Sequence, residues 1–208
     1  MAPAGSFESL AAALQGGADS VYFGIGKLNM RSRATANFAE EDLPEIVARC
    51  HETGAKAYLT LNIIVYDEEL ETVRNLCAAA KAAGVDAVIA SDLAVITHAH
   101  SIGLEVHMSV QANVCNMASV RFYAQYADVV VLARELTLGQ IRRIIDGIRD
   151  EGIRGPSGDL IRVEIFAHGA LCVAVSGKCH MSLAAYNSSA NRGACFQNCR
   201  RALSLIHI

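Results

Sequence analysis

Near the end of this 208-residue chain, the run HGALCVAVSGKCHMS (168–182) carries two cysteines and two histidines, and NRGACFQNCRR (191–201) adds two more cysteines. The spacing is Cys172-x6-Cys179-x15-Cys195-x3-Cys199. Thiolates placed this way have three chemical uses. Four of them can hold an iron–sulfur cluster, which tolerates irregular spacing. Four can hold structural zinc, usually as two close Cys-x2–4-Cys pairs, and only Cys195 and Cys199 form such a pair. A single thiolate beside an imidazole is a nucleophile, with Cys172 or Cys179 paired to His168 or His180. Adjacent residues of an extended segment point to opposite sides, so Cys179 and His180 suit each other poorly. Ser176 and Ser182 lie in no Gly-x-Ser-x-Gly elbow, and the chain has no HExxH zinc motif. Iron–sulfur, zinc and free reactive thiols all remain open from spacing alone.

The charge distribution bears on that choice. Four of the 18 basic residues (Lys178, Arg192, Arg200 and Arg201) and none of the 21 acidic ones follow Glu164. The tail is therefore +4 and the preceding 164 residues −7, against a net charge of −3. A cluster held by four thiolates is negative, and such a tail offsets it. The overall charge argues against a general nucleic-acid binder, whereas the basic tail suits RNA phosphates.

The composition, 52% apolar and 19% charged, is that of a globular protein. No apolar run is long enough for a membrane span. The start, MAPAGSFESL, has no basic region followed by an apolar one, so a cytoplasmic location is expected. In that compartment seven cysteines suggest metal or redox ligands before disulfides. Cys50 and Cys77 sit in helical patterns and are expected to be small buried residues; Cys115 is isolated.

The elements that must position these residues alternate. Strand patterns at 18–26, 56–64, 86–92, 104–110, 128–135 and 160–169 are separated by helical ones at 40–54, 67–84, 93–103, 116–127 and 137–152. MAPAG and the helix after it make a further unit at the start. Thr137 is a candidate N-cap. Such alternation implies a parallel sheet, and its near-continuous apolar strands fit a TIM-type (β/α) barrel, incomplete in this chain. No Gly-x-Gly-x-x-Gly follows the first strand, which weakens a dinucleotide-binding alternative. Residues 1–169 form the barrel units, 170–201 a Cys-rich excursion after the last strand at the carboxyl face, and 202–208 an apolar tail expected to come from truncation or read-through.

Barrel active sites lie at the carboxyl ends of the strands. Those positions hold Asn62, Asp92, Ser109, Gln111, Asn113, Arg134, Glu135 and His168. Together they describe a polar pocket. Asn62, Asp92, Gln111, Arg134, Glu135 and His168 are the candidate catalytic groups; Ser109, Asn113, Lys178, Arg192 and Arg200 are candidate substrate contacts. His51, His98 and His100 fall on helices and are expected to be surface or packing residues.

EIFAHGALCVAVSGKCHMS (164–182) resembles the signature of the collagenase-like peptidases, family 32 of the unassigned (U) class. The matching positions are Glu164, Phe166, Gly169, Ala170, Leu171, Cys172, Ser176, Gly177, Cys179 and Ser182. APAGSFESLAAALQGGADSVYFG, DLPEIV, SVQANVCN, VVLARELTL and NRGACFQNCRR extend the resemblance over residues 2–201. The resemblance implies a TIM-type barrel and one of two activities. One is the collagenase-like proteolysis for which early members were labelled. The other is oxygen-independent or prephenate-dependent hydroxylation of a tRNA wobble uridine or an rRNA cytidine, or, in partnered pairs with 4Fe-4S clusters, a step of ubiquinone synthesis. It also implies that Cys172, Cys179 and Cys195 are cluster ligands, with Cys199 the late candidate for the fourth. The expectation is therefore an RNA-base hydroxylation enzyme acting on tRNA, with a 4Fe-4S cluster (zinc or no metal being the alternatives). Prephenate is a candidate co-substrate, and there is room for a protein partner or a further C-terminal domain.

Overall fold

The computed structural model describes residues 1–30, 32, 38–169, 172–176 and 178–200. Ala170, Leu171 and Gly177 of the signature, Arg201 and the 202–208 tail lie outside the described residues.

Seven strands alternate with helices: β1 (Ala2–Ala4), α1 (Phe7–Gln15), β2 (Ser20–Phe23), α2 (Leu43–Glu52), β3 (Lys56–Leu61), α3 (Leu70–Ala82), β4 (Ala87–Ala90), α4 (Leu93–Ser101), β5 (Val106–Met108), α5 (Met117–Tyr123), β6 (Val129–Val131), α6 (Leu138–Glu151) and β7 (Arg162–Glu164). A short α7 (Met181–Tyr186) lies in the Cys-rich segment. All strands are parallel and their order in the sheet is their order in the chain. A doubly wound sheet reverses that order at a switch point; this sheet does not, and curves into an incomplete barrel.

Local chemistry accounts for the elements. α2 places Leu43, Ile46, Val47 and Cys50 on one buried face. Thr137 caps α6, its hydroxyl accepting the Gln140 N–H at 3.3 Å, and Gly152 ends that helix at φ 63°. Burial raises the Cys50 and Cys77 thiols to about 11, as fits inert packing residues. One face of the sheet, including Val21, Phe23, Leu59, Leu61, Val88 and Met108, packs on the helices. The other carries Tyr22, Tyr58, Ala87 and Ile89. There His107 is buried, with its Nε2 2.9 Å from Glu105 Oε1 and its ring against Tyr58. Arg162 donates to the same carboxylate at 2.5 Å.

The elements are generally shorter than their sequence patterns, and two of the shifted boundaries bear on the site. The last strand ends at Glu164, because β7 pairs only with β6 and that register stops at Val131↔Glu164. His168 therefore lies four residues beyond the strand. The helix expected from 67 begins at Leu70, since Asp67–Glu69 form a tight turn in which the Glu69 carboxylate accepts the Tyr66 N–H.

Candidate functional site

The carboxyl ends of β3, β4 and β5 converge on Asn62. Its Oδ1 accepts the Met30 N–H at 3.1 Å, and its Nδ2 faces Ser109 Oγ at 3.3 Å and Gln111 Oε1 at 3.5 Å. The Ser109 hydroxyl donates to Gln111, and the Ser91 hydroxyl donates to the Asn62 carbonyl. Asn62, Ser91 and Gln111 border a cavity of about 130 Å³, which Ile63, Ile64, Asp92 and Asn191 complete. Asp92 is pinned from two sides: Oδ1 caps α4 through the Ala94 N–H, and Oδ2 accepts the Val65 N–H. The lining combines amide donors and acceptors with two aliphatic walls. It suits one small planar polar ring, being well below the roughly 300–1,000 Å³ of pockets for drug-sized ligands. A larger groove of about 310 Å³ runs between α3 and α4 past Arg74 and His98, on the outer layer away from the strand ends.

The Cys-rich segment is tied to these strand ends along its length. Asn113, held at φ 50°, donates to the Ser176 carbonyl at 2.6 Å. Arg134 donates to the Ala174 carbonyl (3.0 Å), Ser176 Oγ (2.8 Å) and, more distantly, the Cys172 carbonyl (3.5 Å). Further on, Arg192 forks onto Glu69 at 2.6 and 2.7 Å, reaches the Ile64 carbonyl at 2.7 Å and lies 4.0 Å over the Tyr66 ring. The Arg192 hydrogen bond holds the Glu69 carboxyl below its ordinary range, and Glu69 in turn raises Arg192. The Ser32 hydroxyl donates to the Gly193 carbonyl. Asn113 Oδ1 and Arg134 Nε are buried beneath the segment without a partner among the described residues.

This arrangement assigns the expected site residues unequally. Asn62, Asp92 and Gln111 border the cavity, with buried Ser109 behind them. Arg134, a candidate catalytic group, and Asn113, a candidate substrate contact, both hold the segment. Arg192, expected as a phosphate contact, is likewise engaged internally: Glu69, Ile64 and Tyr66 take up its guanidinium. Glu135, His168, Lys178 and Arg200 are exposed and none lines the cavity. Asn191, Ser91 and Glu69 were not singled out from the sequence. The Asn-Arg-Gly run, which turns at Gly193 (φ 80°), is the local feature that could have marked Asn191.

Cys172 and Cys199 are exposed, and Cys179 and Cys195 half-buried, all as free thiols. Among the described residues no three His, Cys, Asp or Glu stand together as a metal-ligand set. No cysteine shares a hydrogen bond with a histidine among the described residues, so the thiolate–imidazole pair is not formed either. No described helix is long and apolar enough to cross a membrane.

Comparison with known proteins places the molecule. The chain is 54% identical over 205 residues to a collagenase of Porphyromonas gingivalis, covering 99% of this chain and 50% of that protein. It is 37% identical over 190 residues to the 23S rRNA 5-hydroxycytidine C2501 synthase of Escherichia coli (91% of this chain, 27% of that protein). It is 34% identical over 203 residues to tRNA hydroxylation protein P1 of Bacillus subtilis (96% and 45%). The chain thus spans about half the length, or less, of these relatives. Among solved structures, the U32 peptidase Mk0906 superposes with a TM-score of 0.59 at 15% identity, covering 79% of this chain and 65% of that one, which supports the barrel fold. The profile of peptidase family U32 matches residues 5–207, and the chain belongs to that family.

Proposed function

We propose that this chain is the base-recognising part of an enzyme that hydroxylates a pyrimidine in RNA, with a tRNA uridine as the first substrate to test. The observation that carries the reading is the cavity at Asn62. Its amides can match the donor and acceptor edge of a base, and Ile63 and Ile64 can flank a ring. Modification of a base requires that it leave its stack and enter such a pocket. Relatives named for tRNA and rRNA hydroxylation support the choice of RNA. The chain's own groups bind and orient; the oxidation needs redox chemistry that side chains lack. A 4Fe-4S cluster on Cys172, Cys179, Cys195 and Cys199 is part of the proposal, and it requires these thiols to be drawn together. A carboxylate co-substrate such as prephenate would have to displace the segment's carbonyls from Arg134.

The test is nucleoside analysis of RNA from a strain lacking the gene, complemented with wild type, Asn62→Ala and Cys172→Ser. Loss of a hydroxylated pyrimidine that wild type restores and both variants do not is the expected result. Unchanged RNA refutes it. Anaerobic purification with about four irons and four sulfides per chain, lost in Cys172→Ser, supports the cluster; zinc or no metal removes it. The second reading, proteolysis, rests on the 54% identity to a protein named collagenase. Cleavage of gelatin that survives iron removal but not substitution of Cys172 or His168 would establish it.

A further inference from the structure

The cavity and the cysteine segment share one side chain, that of Asn191. Its Oδ1 accepts the Cys179 N–H at 3.3 Å, its carbonyl accepts the Ile64 N–H at 3.3 Å, and it borders the cavity beside Asn62, Asp92 and Gln111. A backbone N–H can only donate, so the oxygen end of this amide is fixed toward Cys179. The NH2 end is then the donor available to the cavity. The residue is held in place by its neighbours, Arg192 on Glu69 and Gly193 on Ser32.

We propose that Asn191 is a two-ended positioning residue: its amide nitrogen donates to a carbonyl of the pyrimidine in the cavity while its oxygen sets the backbone at Cys179. This rests on the reading of the cavity as a base site. A ring in the cavity tightens the amide, and the amide tightens Cys179. By linkage, a change at Cys179 alters base affinity by the same factor.

Hydrogen exchange at individual amides tests this, with uridine 5′-monophosphate as the probe at millimolar concentration. In wild type the nucleotide should slow exchange at both Ile64 and Cys179. Asn191→Ala should speed Cys179 exchange by roughly threefold or more, the worth of one hydrogen bond. Asn191→Asp keeps an acceptor for Cys179 but loses the NH2 donor. It should retain the basal protection at Cys179 and lose the nucleotide's effect there. That split separates two-ended positioning from a merely structural bond. Equal Cys179 exchange in wild type and Asn191→Ala overturns the proposal, as does Asn191→Asp responding to nucleotide like wild type. Should the alanine variant unfold, the aspartate variant still decides. Protection of Ile64 without Cys179 overturns the positioning role and leaves the base site standing. Protection of neither removes the base site and this role with it.

Discussion

Replacing Arg192 with alanine should release the Cys-rich segment without melting the barrel. Arg192 makes two bonds to Glu69, one to the Ile64 carbonyl and a stack on Tyr66. Both members of the ion pair are about one-fifth exposed (22% and 23%), so solvent screens the pair in part. About 1 kcal/mol for the pair, about 1 for the carbonyl bond and about 0.5–1 for the stack give roughly 2.5–3 kcal/mol. That raises the open fraction of the segment by about 70- to 150-fold. The assay is amide exchange at Ile64 and Ala194, whose N–H groups bond to Asn191 and Ser189, with trypsin cleavage after Lys178 as a second readout. The β3 amides are the internal control. Arg192→Lys keeps the charge but loses the fork, and should fall between wild type and alanine. Unchanged exchange at Ile64 and Ala194 refutes the reasoning, and so does equal acceleration at β3, because the clasp would then not be local.

Gly193→Ala should loosen the same segment. A Cβ there collides with the Asn29 carbonyl and the Ser32 hydroxyl, and φ 80° is costly for alanine, so a loss of about 1–3 kcal/mol is expected, read by the same exchange sites. The inner-face carboxyls should respond to pH in opposite directions. The hydrogen bond from His107 holds Glu105 below its ordinary range, so its contribution is present above the unfolded value and is lost as pH falls through the folded one. Glu105→Gln should flatten the acid limb of a stability–pH profile. Burial raises Glu164, so its contribution is present below the unfolded value and is lost as pH rises through the folded one. Glu164→Gln should therefore gain stability at neutral pH, with the gain vanishing in acid; chemical denaturation across the pH range measures both.

The parts of the fold set by near neighbours in sequence were legible. Apolar runs marked the strands, and the spacing of Leu43, Ile46 and Val47 marked α2. Thr137 announced its helix, because a cap acts within one turn. Polar residues just after apolar runs pointed to Asn62, Asp92 and Gln111, since a parallel strand delivers its next residue to the carboxyl face. The rest depends on pairings that sequence does not show. Arg192 meets a carboxylate 123 positions earlier, and nothing local distinguishes an arginine held by Glu69 from one facing solvent. Arg134 follows an apolar run and so resembles a site residue; its partners are mostly backbone carbonyls, which any sequence supplies. The end of β7 at Glu164 reflects the length of its neighbour rather than its own apolar content.

The sheet order has a consequence for synthesis. Every paired strand joins its neighbour in the chain, and the widest separation across a ladder is that of Ser20↔Lys56. Loop closures of that size are cheap and fast, so the barrel units can accrete one after another as the chain emerges. The contacts of Arg192 and Gly193 reach back 123 and 161 positions, and they form only when the barrel is in place. The thiols and the wall at Asn191 therefore settle only after the barrel units they rest on. The same contacts can open while the barrel stays folded.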